Sequence, residues 1–168
     1  MKNKKIIISG PPSSGKSSII NKLIQTGEIC YSEIGPIDIK NKTIKNSKIQ
    51  LSEFIFKHRQ NQYNEPHLNT CFYDRSMIDV IAYLIYWNID YPSIWDKIVK
   101  EKRYNEKVFY TPIWNKIYQN SNARPESYTE SCNIDTILRQ TYIKYNYKLI
   151  EVPKLNIQER TEFIINRI

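Results

Sequence analysis

The segment GPPSSGKS, residues 10–17, constrains the fold of this chain more than any other part of its sequence. It matches the pattern G-x-x-x-x-G-K-[ST]; an apolar run precedes it at residues 6–8, and apolar side chains at helical spacing follow it over residues 16–25. A strand, a tight loop and a helix in this order are the context in which the pattern binds phosphate. We therefore predict a phosphate-binding loop, and a glycine-rich turn that binds nothing is the disfavoured alternative.

Each residue type in this loop has a task in holding a nucleoside triphosphate. Gly10 and Gly15 allow the backbone to turn its N–H groups toward phosphate oxygens, and Lys16 supplies a positive charge between the outer phosphates. The hydroxyl of Ser17 can ligate Mg²⁺, so we expect ATP or GTP together with Mg²⁺ as cofactors. The predicted nucleotide-binding residues are Gly10, Pro11, Pro12, Ser13, Ser14, Gly15, Lys16, Ser17 and Ser18.

A second apolar run, residues 71–73, ends at Asp74 and Arg75, and Ser76-x-x-Asp79 then forms a capping box for a helix. The carboxyl ends of strands form the edge at which open parallel sheets bind ligands, so we expect Asp74 near the phosphates. There its carboxylate can hold Mg²⁺, directly or through water, or accept the proton of an attacking hydroxyl. The alternative is a simple strand end and helix cap, in which Arg75 is only the counter-ion of Asp79.

The remaining sequence repeats the pattern of a strand followed by a helix. Apolar runs at residues 108–110 and 147–152 predict two more strands, and a short strand could end at Tyr31. Capping residues precede the intervening helices at Ser93, at Ser127 or Ser131, and at Asn156. Such alternation predicts an α/β protein with right-handed crossovers and a mostly parallel sheet covered on both faces. A length of 168 residues predicts one domain over residues 1–168.

The composition excludes several other classes of protein. The formal charge of +8 is compatible with a nucleic-acid partner, but solvated lysines plus one phosphate site explain it better. No run of about 18 apolar residues is present, so we predict no membrane partner. The three cysteines are far apart and lack the spacing of a zinc site or a disulfide framework, which favours reduced thiols in a cytoplasmic protein. The sequence carries no signal for an oligomeric state.

Two residues outside these motifs complete the candidate site. Glu33, after the possible strand at Tyr31, can orient a substrate hydroxyl or replace Asp74 as the base, or it is a solvated loop acid. Arg124 lies in a long polar segment, residues 112–131, which we interpret as a lid whose arginine closes over the transferring phosphoryl group; a plain surface arginine is the alternative. The predicted catalytic residues are Lys16, Asp74, Arg75, Arg124 and Glu33, and the predicted metal ligands are Ser17 and Asp74.

Five blocks of the sequence together resemble one family. They are GPPSSGKS, FYDRSMIDVIAY, VFYTPIW, NARPES and YKLIEVPKLNIQERTEFII, and they resemble the AAA-type ATPase domain related to the ribosylnicotinamide kinase portion of the NadR-like proteins. The resemblance implies a nucleotide-kinase type of phosphate-loop NTPase, with a parallel five-stranded sheet, helices on both faces and a lid segment. By the same resemblance, Asp74 and Arg75 match the family's acid-arginine pair, Asp79 its following acid, Glu33 its acid after the first helix, and Arg124 its lid arginine.

Two functions remain after these observations. The favoured one is an ATP-dependent kinase that transfers the γ-phosphoryl group to a nucleoside or nucleotide-like acceptor, because a single domain with an acid-arginine pair and a long lid suits that chemistry. The alternative is an ATPase or switch module that acts through a protein or RNA partner. Its contact surface would be the basic segment that contains Lys40, Lys42, Lys45 and Lys48.

Overall fold

The computed structural model of the protein describes residues 4–34, 47–118 and 126–168. The predicted strands are all present. In chain order the strands are β1 (Lys5–Ser9), β2 (Ile29–Tyr31), β3 (Cys71–Asp74), β4 (Lys107–Tyr110) and β5 (Lys148–Glu151). The helices are α1 (Lys16–Gln25), α2 (Lys48–Asn64), α3 (Met77–Tyr86), α4 (Ile94–Glu101), α5 (Tyr128–Lys144) and α6 (Ile157–Ile165), with a short 3₁₀ helix at Asn115–Ile117.

The five strands form one parallel sheet in the order β2-β3-β1-β4-β5. β1 lies in its centre, where both faces are covered, and this explains the unbroken apolar run at residues 6–8. In the register of the sheet, Ile8 lies opposite Asp74, and Ser9 lies opposite Tyr110. The end of β3 and the loop that follows β1 therefore meet at the same edge of the sheet.

Helices cover both faces of this sheet, as the sequence predicted. Alternate side chains of each strand point to opposite faces, so Ile6 and Ile8 pack with α1 and α6, whereas Ile7 packs with the other helices. The first face also contains Phe72 and Phe109, and the second contains Tyr73 and Val108. No helix within the described ranges is both long and apolar enough to cross a bilayer.

Helix starts follow the predicted capping residues, and only the capping hydrogen bond at Ser93 is missing. The capping boxes that begin α3 at Ser76 and α6 at Asn156 are confirmed, with side-chain and backbone hydrogen bonds in both directions. Ser127 rather than Ser131 begins α5. Ser93 precedes α4, but its side chain makes no capping hydrogen bond.

Two predicted segments fall partly outside the described residues. Of the predicted basic surface, Lys48 begins α2, and Lys40, Lys42 and Lys45 lie outside the described ranges. Of the predicted lid, residues 112–118 contain the 3₁₀ helix, residues 128–131 belong to the first turn of α5, and Arg124 lies outside the described ranges.

Candidate active site

The loop of residues 10–17 has the backbone conformation that its glycines allow. Gly10 and Gly15 have φ angles of 149° and 84°, and Ser13, at 57°, is also in the left-handed region. A Cβ atom at Gly10 would lie 2.3 Å from the carbonyl oxygen of Thr111, which directly follows β4. The hydroxyls of Ser14 and Thr111 are hydrogen-bonded at 2.7 Å. The loop is therefore held tightly against the end of β4.

Lys16 reaches across the inside of this loop. Its Nζ donates hydrogen bonds to the carbonyl oxygen of Pro11 at 2.7 Å and to the hydroxyl of Ser14 at 3.3 Å, and the side chain is buried. Burial, together with the nearby charge of Arg75, lowers the pKa of Lys16 to about 7, although Asp74 acts in the opposite direction. A desolvated ammonium group that is bound only to neutral oxygens of Pro11 and Ser14 is suited to an anionic partner such as a phosphate group.

Arg75 connects three parts of the site. Its Nε donates a hydrogen bond to Glu33 Oε1 at 2.9 Å, and its Nη1 donates one to the carbonyl oxygen of Gly10 at 3.2 Å. Its Nη1 also lies 3.7 Å from Asp79 Oδ1. Because Arg75 binds Glu33 and Gly10 as well, it is more than the counter-ion of Asp79. Arg75 has a φ of 72°, a conformation that costs about 1–3 kcal/mol for a residue other than glycine. Strain of this kind is typical of functional sites.

The two acids of the site differ in their surroundings. Asp74 is 2% exposed, and its Oδ1 atom has no hydrogen-bond partner among the described residues. Burial raises the pKa of Asp74, although Lys16 opposes this shift. Glu33 lies at the site's outer edge, where partial burial would raise its pKa but the charges of Arg75 and Lys16 lower it further than burial raises it. Two carboxylates whose pKa values are shifted in opposite directions are suited to different roles.

Asp79 fixes the start of α3 beneath Arg75. Its carboxylate is buried and accepts hydrogen bonds from the Ser76 backbone N–H at 2.7 Å, from the Ser9 hydroxyl at 2.5 Å and from the Tyr142 hydroxyl at 2.5 Å. These partners belong to β1, to the cap of α3 and to α5. Asp79 therefore joins three elements around the site and has no free oxygen for a ligand.

Tyr142→Phe is expected to lower the free energy of unfolding by about 1–3 kcal/mol, because it removes one charge-assisted hydrogen bond from a buried carboxylate. Urea denaturation of both proteins measures the difference. Tyr128→Phe, which changes an exposed tyrosine on the same helix, is the matched control and should leave stability within about 0.5 kcal/mol. Equal stability of the Tyr142→Phe variant and the unchanged protein would contradict this account of Asp79.

Two buried arginines at the site were not among the sequence-based candidates. Arg59 of α2 is 2% exposed, and its Nη1 donates a hydrogen bond to the carbonyl oxygen of Arg75 at 3.3 Å. Arg160 of α6 is 3% exposed, and its Nη2 donates one to the carbonyl oxygen of Ser14 at 2.9 Å. One available signal was missed for Arg160: it lies four residues before buried Ile164, on the apolar face of its helix.

The structure thus brings four of the five predicted catalytic residues to one sheet edge. These are Lys16, Asp74, Arg75 and Glu33, whose charges act on one another. Within the described part of the chain, no group of three or more His, Cys, Asp or Glu side chains could hold a metal ion by itself. This finding does not test the predicted ligands Ser17 and Asp74, because Mg²⁺ characteristically takes only one or two protein ligands beside phosphate oxygens and waters.

Comparisons with known proteins agree with this architecture. Residues 5–160 match a family described as AAA domain, and no curated protein matches the sequence. Deoxyadenosine kinase from M. mycoides with bound dATP is similar in structure, with a TM-score of 0.74, 17% sequence identity, and 98% of each chain covered. Thymidylate kinase from Ehrlichia chaffeensis has a TM-score of 0.66 and 14% identity, with 98% of this chain and 97% of that chain covered.

Thymidylate kinase from Candida albicans is a third similar structure, with a TM-score of 0.66 and 15% identity over 98% of this chain and 90% of that chain. At these identities the structural similarity establishes a shared fold, in which a parallel five-stranded sheet carries a phosphate loop. The family match covers nearly the whole sequence and includes the phosphate loop, β3 with Asp74, and the start of α6. The chain therefore belongs to the AAA domain family and has the fold of the nucleoside and nucleotide kinases.

Proposed function

We propose that the protein is an ATP-dependent small-molecule kinase that transfers the γ-phosphoryl group to a nucleoside or nucleotide-like acceptor. The observation that carries the proposal is the meeting of the phosphate loop with Asp74, a buried acid that has one carboxylate oxygen unpartnered among the described residues. Beside it, Arg75 joins Glu33 to the loop. Phosphoryl transfer needs a site that positions phosphates, balances their charge and accepts a hydroxyl proton, and this arrangement offers all three.

The class of acceptor is proposed from the structural neighbours. Deoxyadenosine kinase from M. mycoides has been solved with dATP, with dCTP, and with dCMP as a product. The thymidylate kinases extend the same fold to a nucleotide acceptor. We therefore propose nucleosides and nucleoside monophosphates as acceptors, and ribosylnicotinamide as a member of this class because of the sequence resemblance to the NadR-like proteins.

In the proposed reaction the acceptor's hydroxyl oxygen attacks the γ-phosphorus atom. The bond between that phosphorus and the oxygen bridging it to ADP breaks, and the hydroxyl proton passes to a carboxylate. Asp74 is the proposed acceptor of the proton, because burial raises its pKa and makes it a stronger base than an exposed aspartate. Lys16 balances charge on the outer phosphates, Arg75 holds the loop and Glu33 in place, and Arg124 is proposed to close over the phosphoryl group from the lid.

Mg²⁺ is proposed as the metal ion of the site, held by the Ser17 hydroxyl, phosphate oxygens and waters, with Asp74 bound directly or through water. The unpartnered Oδ1 of Asp74 fits this role as well as that of the base. When bound, Mg²⁺ neutralises charge that develops on the phosphate oxygens.

Removal of Mg²⁺ with excess chelator is expected to lower the rate of transfer from ATP at least about tenfold, because the loop must then balance the phosphate charge alone. Restoring Mg²⁺ to the same sample should restore the rate, and this add-back controls for damage by the chelator. A rate of ADP formation that stays unchanged in excess chelator would contradict the proposed use of the ion.

The test of the proposed function is ADP release from ATP, measured with and without a panel of nucleosides, ribosylnicotinamide and nucleoside monophosphates. Release that depends on one acceptor, together with the phosphorylated acceptor in equal amount, supports the kinase. Slow release that no acceptor changes but that RNA or a protein stimulates supports the ATPase or switch module instead. GTP replaces ATP in a parallel series to establish the preferred phosphoryl donor.

The place of action is also a proposal. Cys30, Cys71 and Cys132 are all free thiols in the structure, and burial raises the pKa of Cys71, which keeps that thiol protonated and unreactive. Free thiols are typical of proteins in a reducing compartment. We therefore propose that the protein acts in the cytoplasm, as a single domain over residues 1–168, without a membrane partner. A nucleic-acid partner is the disfavoured alternative.

A further inference from the structure

Arg160 reaches the phosphate loop from the far end of the chain. It lies in the first turns of α6, and its Nη2 donates a hydrogen bond to the carbonyl oxygen of Ser14 at 2.9 Å, across 146 positions of sequence. The guanidinium carbon lies 5.7 Å from the centre of the Trp114 ring, and the residue is 3% exposed. A positively charged side chain is thus buried against the phosphate loop.

This charge has no anionic partner in the described part of the chain. No carboxylate among those residues forms an ion pair with Arg160, and its Nε atom, although buried, has no hydrogen-bond partner there. Burial lowers the pKa of Arg160, because it removes water from the charged guanidinium group. A desolvated guanidinium group without a carboxylate opposes folding. Stability therefore does not explain why an arginine occupies this position.

The hydrogen bond to Ser14 instead fixes the orientation of one peptide group of the loop. A trans peptide group is planar, so its carbonyl and its N–H point in opposite directions. Because Arg160 Nη2 binds the carbonyl oxygen of Ser14, the N–H of Gly15 in the same peptide group points away from Arg160. Backbone N–H groups of this kind are the donors that meet phosphate oxygens in phosphate-binding loops.

Gly15 is also needed for this close approach. A Cβ atom on Gly15 would lie 2.6 Å from Arg160 Nη1 and 3.2 Å from the Cδ1 atom of Ile117. The second glycine of the motif therefore serves two purposes. It allows the φ angle of 84° and leaves room for the guanidinium group against the backbone.

We propose that Arg160 is a positioning residue for the phosphate loop. It aligns the peptide group between Ser14 and Gly15 and adds positive charge next to the loop. Its burial lowers the folding stability, and its contact with the loop tightens the binding of a nucleoside triphosphate. This inference rests on the nucleotide-binding part of the proposed function and is independent of the identity of the acceptor.

The test compares ATP affinity and folding stability in the same variants. Arg160→Met should raise the Kd for ATP at least about tenfold, because the loop loses the hydrogen bond from a charged donor that aligns one of its peptide groups, and also loses a nearby positive charge. The same variant should have an unchanged or higher urea midpoint, because a side chain of similar length replaces a buried charge that has no carboxylate partner among the described residues. Arg160→Lys keeps the charge without the planar fork and should have an intermediate Kd.

Arg167→Met is the matched control. Arg167 follows the same helix, and its Nη1 also donates to a backbone carbonyl, that of Phe163 at 3.3 Å, but it is exposed. Its own carbonyl oxygen accepts a hydrogen bond from Lys107, at the opposite end of β4 from the loop. Its replacement should leave the Kd for ATP unchanged.

Three results would overturn the inference. One is an unchanged Kd for ATP in Arg160→Met, and another is a weakened Kd together with a lower urea midpoint, since that combination indicates a merely structural role. A Kd for Arg160→Lys equal to that for Arg160→Met would overturn the contribution of charge. ATP binding is measured without an acceptor, so a failure of acceptor-dependent transfer leaves this inference standing, whereas a wild-type protein that binds no ATP overturns both proposals.

Discussion

Lys16→Ala is expected to lower nucleotide turnover at least about 100-fold without unfolding the protein. The lysine is the buried cation inside the loop, hydrogen-bonded to Pro11 and Ser14, and no other side chain of residues 10–17 carries a charge. Its removal takes away charge stabilisation of the outer phosphates but little apolar contact. Single-turnover rates measure the first effect, and urea denaturation measures the second.

Lys22→Ala provides the matched control for this prediction. Lys22 lies on the same helix, α1, near its carboxyl end, and is only half-buried. Its loss should leave the turnover rate within about twofold of the unchanged protein, because solvent screens its charge from the site. A Lys16→Ala variant that turns nucleotide over at the unchanged rate would remove the assignment of residues 10–17 as a phosphate-binding loop.

The pH dependence of ATP binding is a second check on Lys16. Burial and the charge of Arg75 lower the pKa of Lys16 to about 7 in the nucleotide-free protein, so the side chain loses its proton as the pH rises through that value. A triphosphate binds the protonated form more tightly. Affinity should therefore fall as the pH rises above about 7 in the unchanged protein and should stay flatter in Lys16→Ala.

Much of the fold was predictable because its signals are local. The centre of the sheet requires strands that are apolar on both faces, and residues 6–8 and 71–73 show this directly. A capping box likewise depends on two residues that are three positions apart, as at Ser76. The prediction at Ser93 was wrong in its detail because that residue already has helical angles, φ −58° and ψ −26°, whereas a capping side chain needs an extended backbone.

The electrostatics of the site were less predictable because they depend on residues distant in sequence. Asp74 could be placed at the sheet edge from the end of an apolar run, but its unpartnered oxygen is a result of tertiary packing. The contact between Arg75 and Glu33 spans 42 positions, and the left-handed backbone of Arg75 leaves no mark in the sequence. Tertiary packing buries both Arg59 and Arg160, and the only sequence signal for either was the spacing of Arg160 from Ile164.

Asp74→Asn is expected to keep most of its affinity for ATP and to lose at least about 100-fold in kcat. The phosphate loop supplies the ground-state contacts, whereas the carboxylate acts on the acceptor's proton or on the metal ion during transfer. Folding raises the pKa of Asp74, so its ionised form destabilises the fold at neutral pH. The variant should therefore be as stable as the unchanged protein or more so, while it loses activity.

The pH profile and a second variant separate the possible bases. If Asp74 accepts the proton, kcat of the unchanged protein should fall as the pH drops through its raised pKa, and this limb should be absent in Asp74→Asn. Glu33→Gln should cost less in kcat, because the charges of Arg75 and Lys16 lower the pKa of Glu33 more than burial raises it and so make it a weaker base. A larger loss in Glu33→Gln would transfer the role of base to Glu33. Weakened ATP binding with kcat intact in Asp74→Asn would limit Asp74 to holding the metal ion in the ground state.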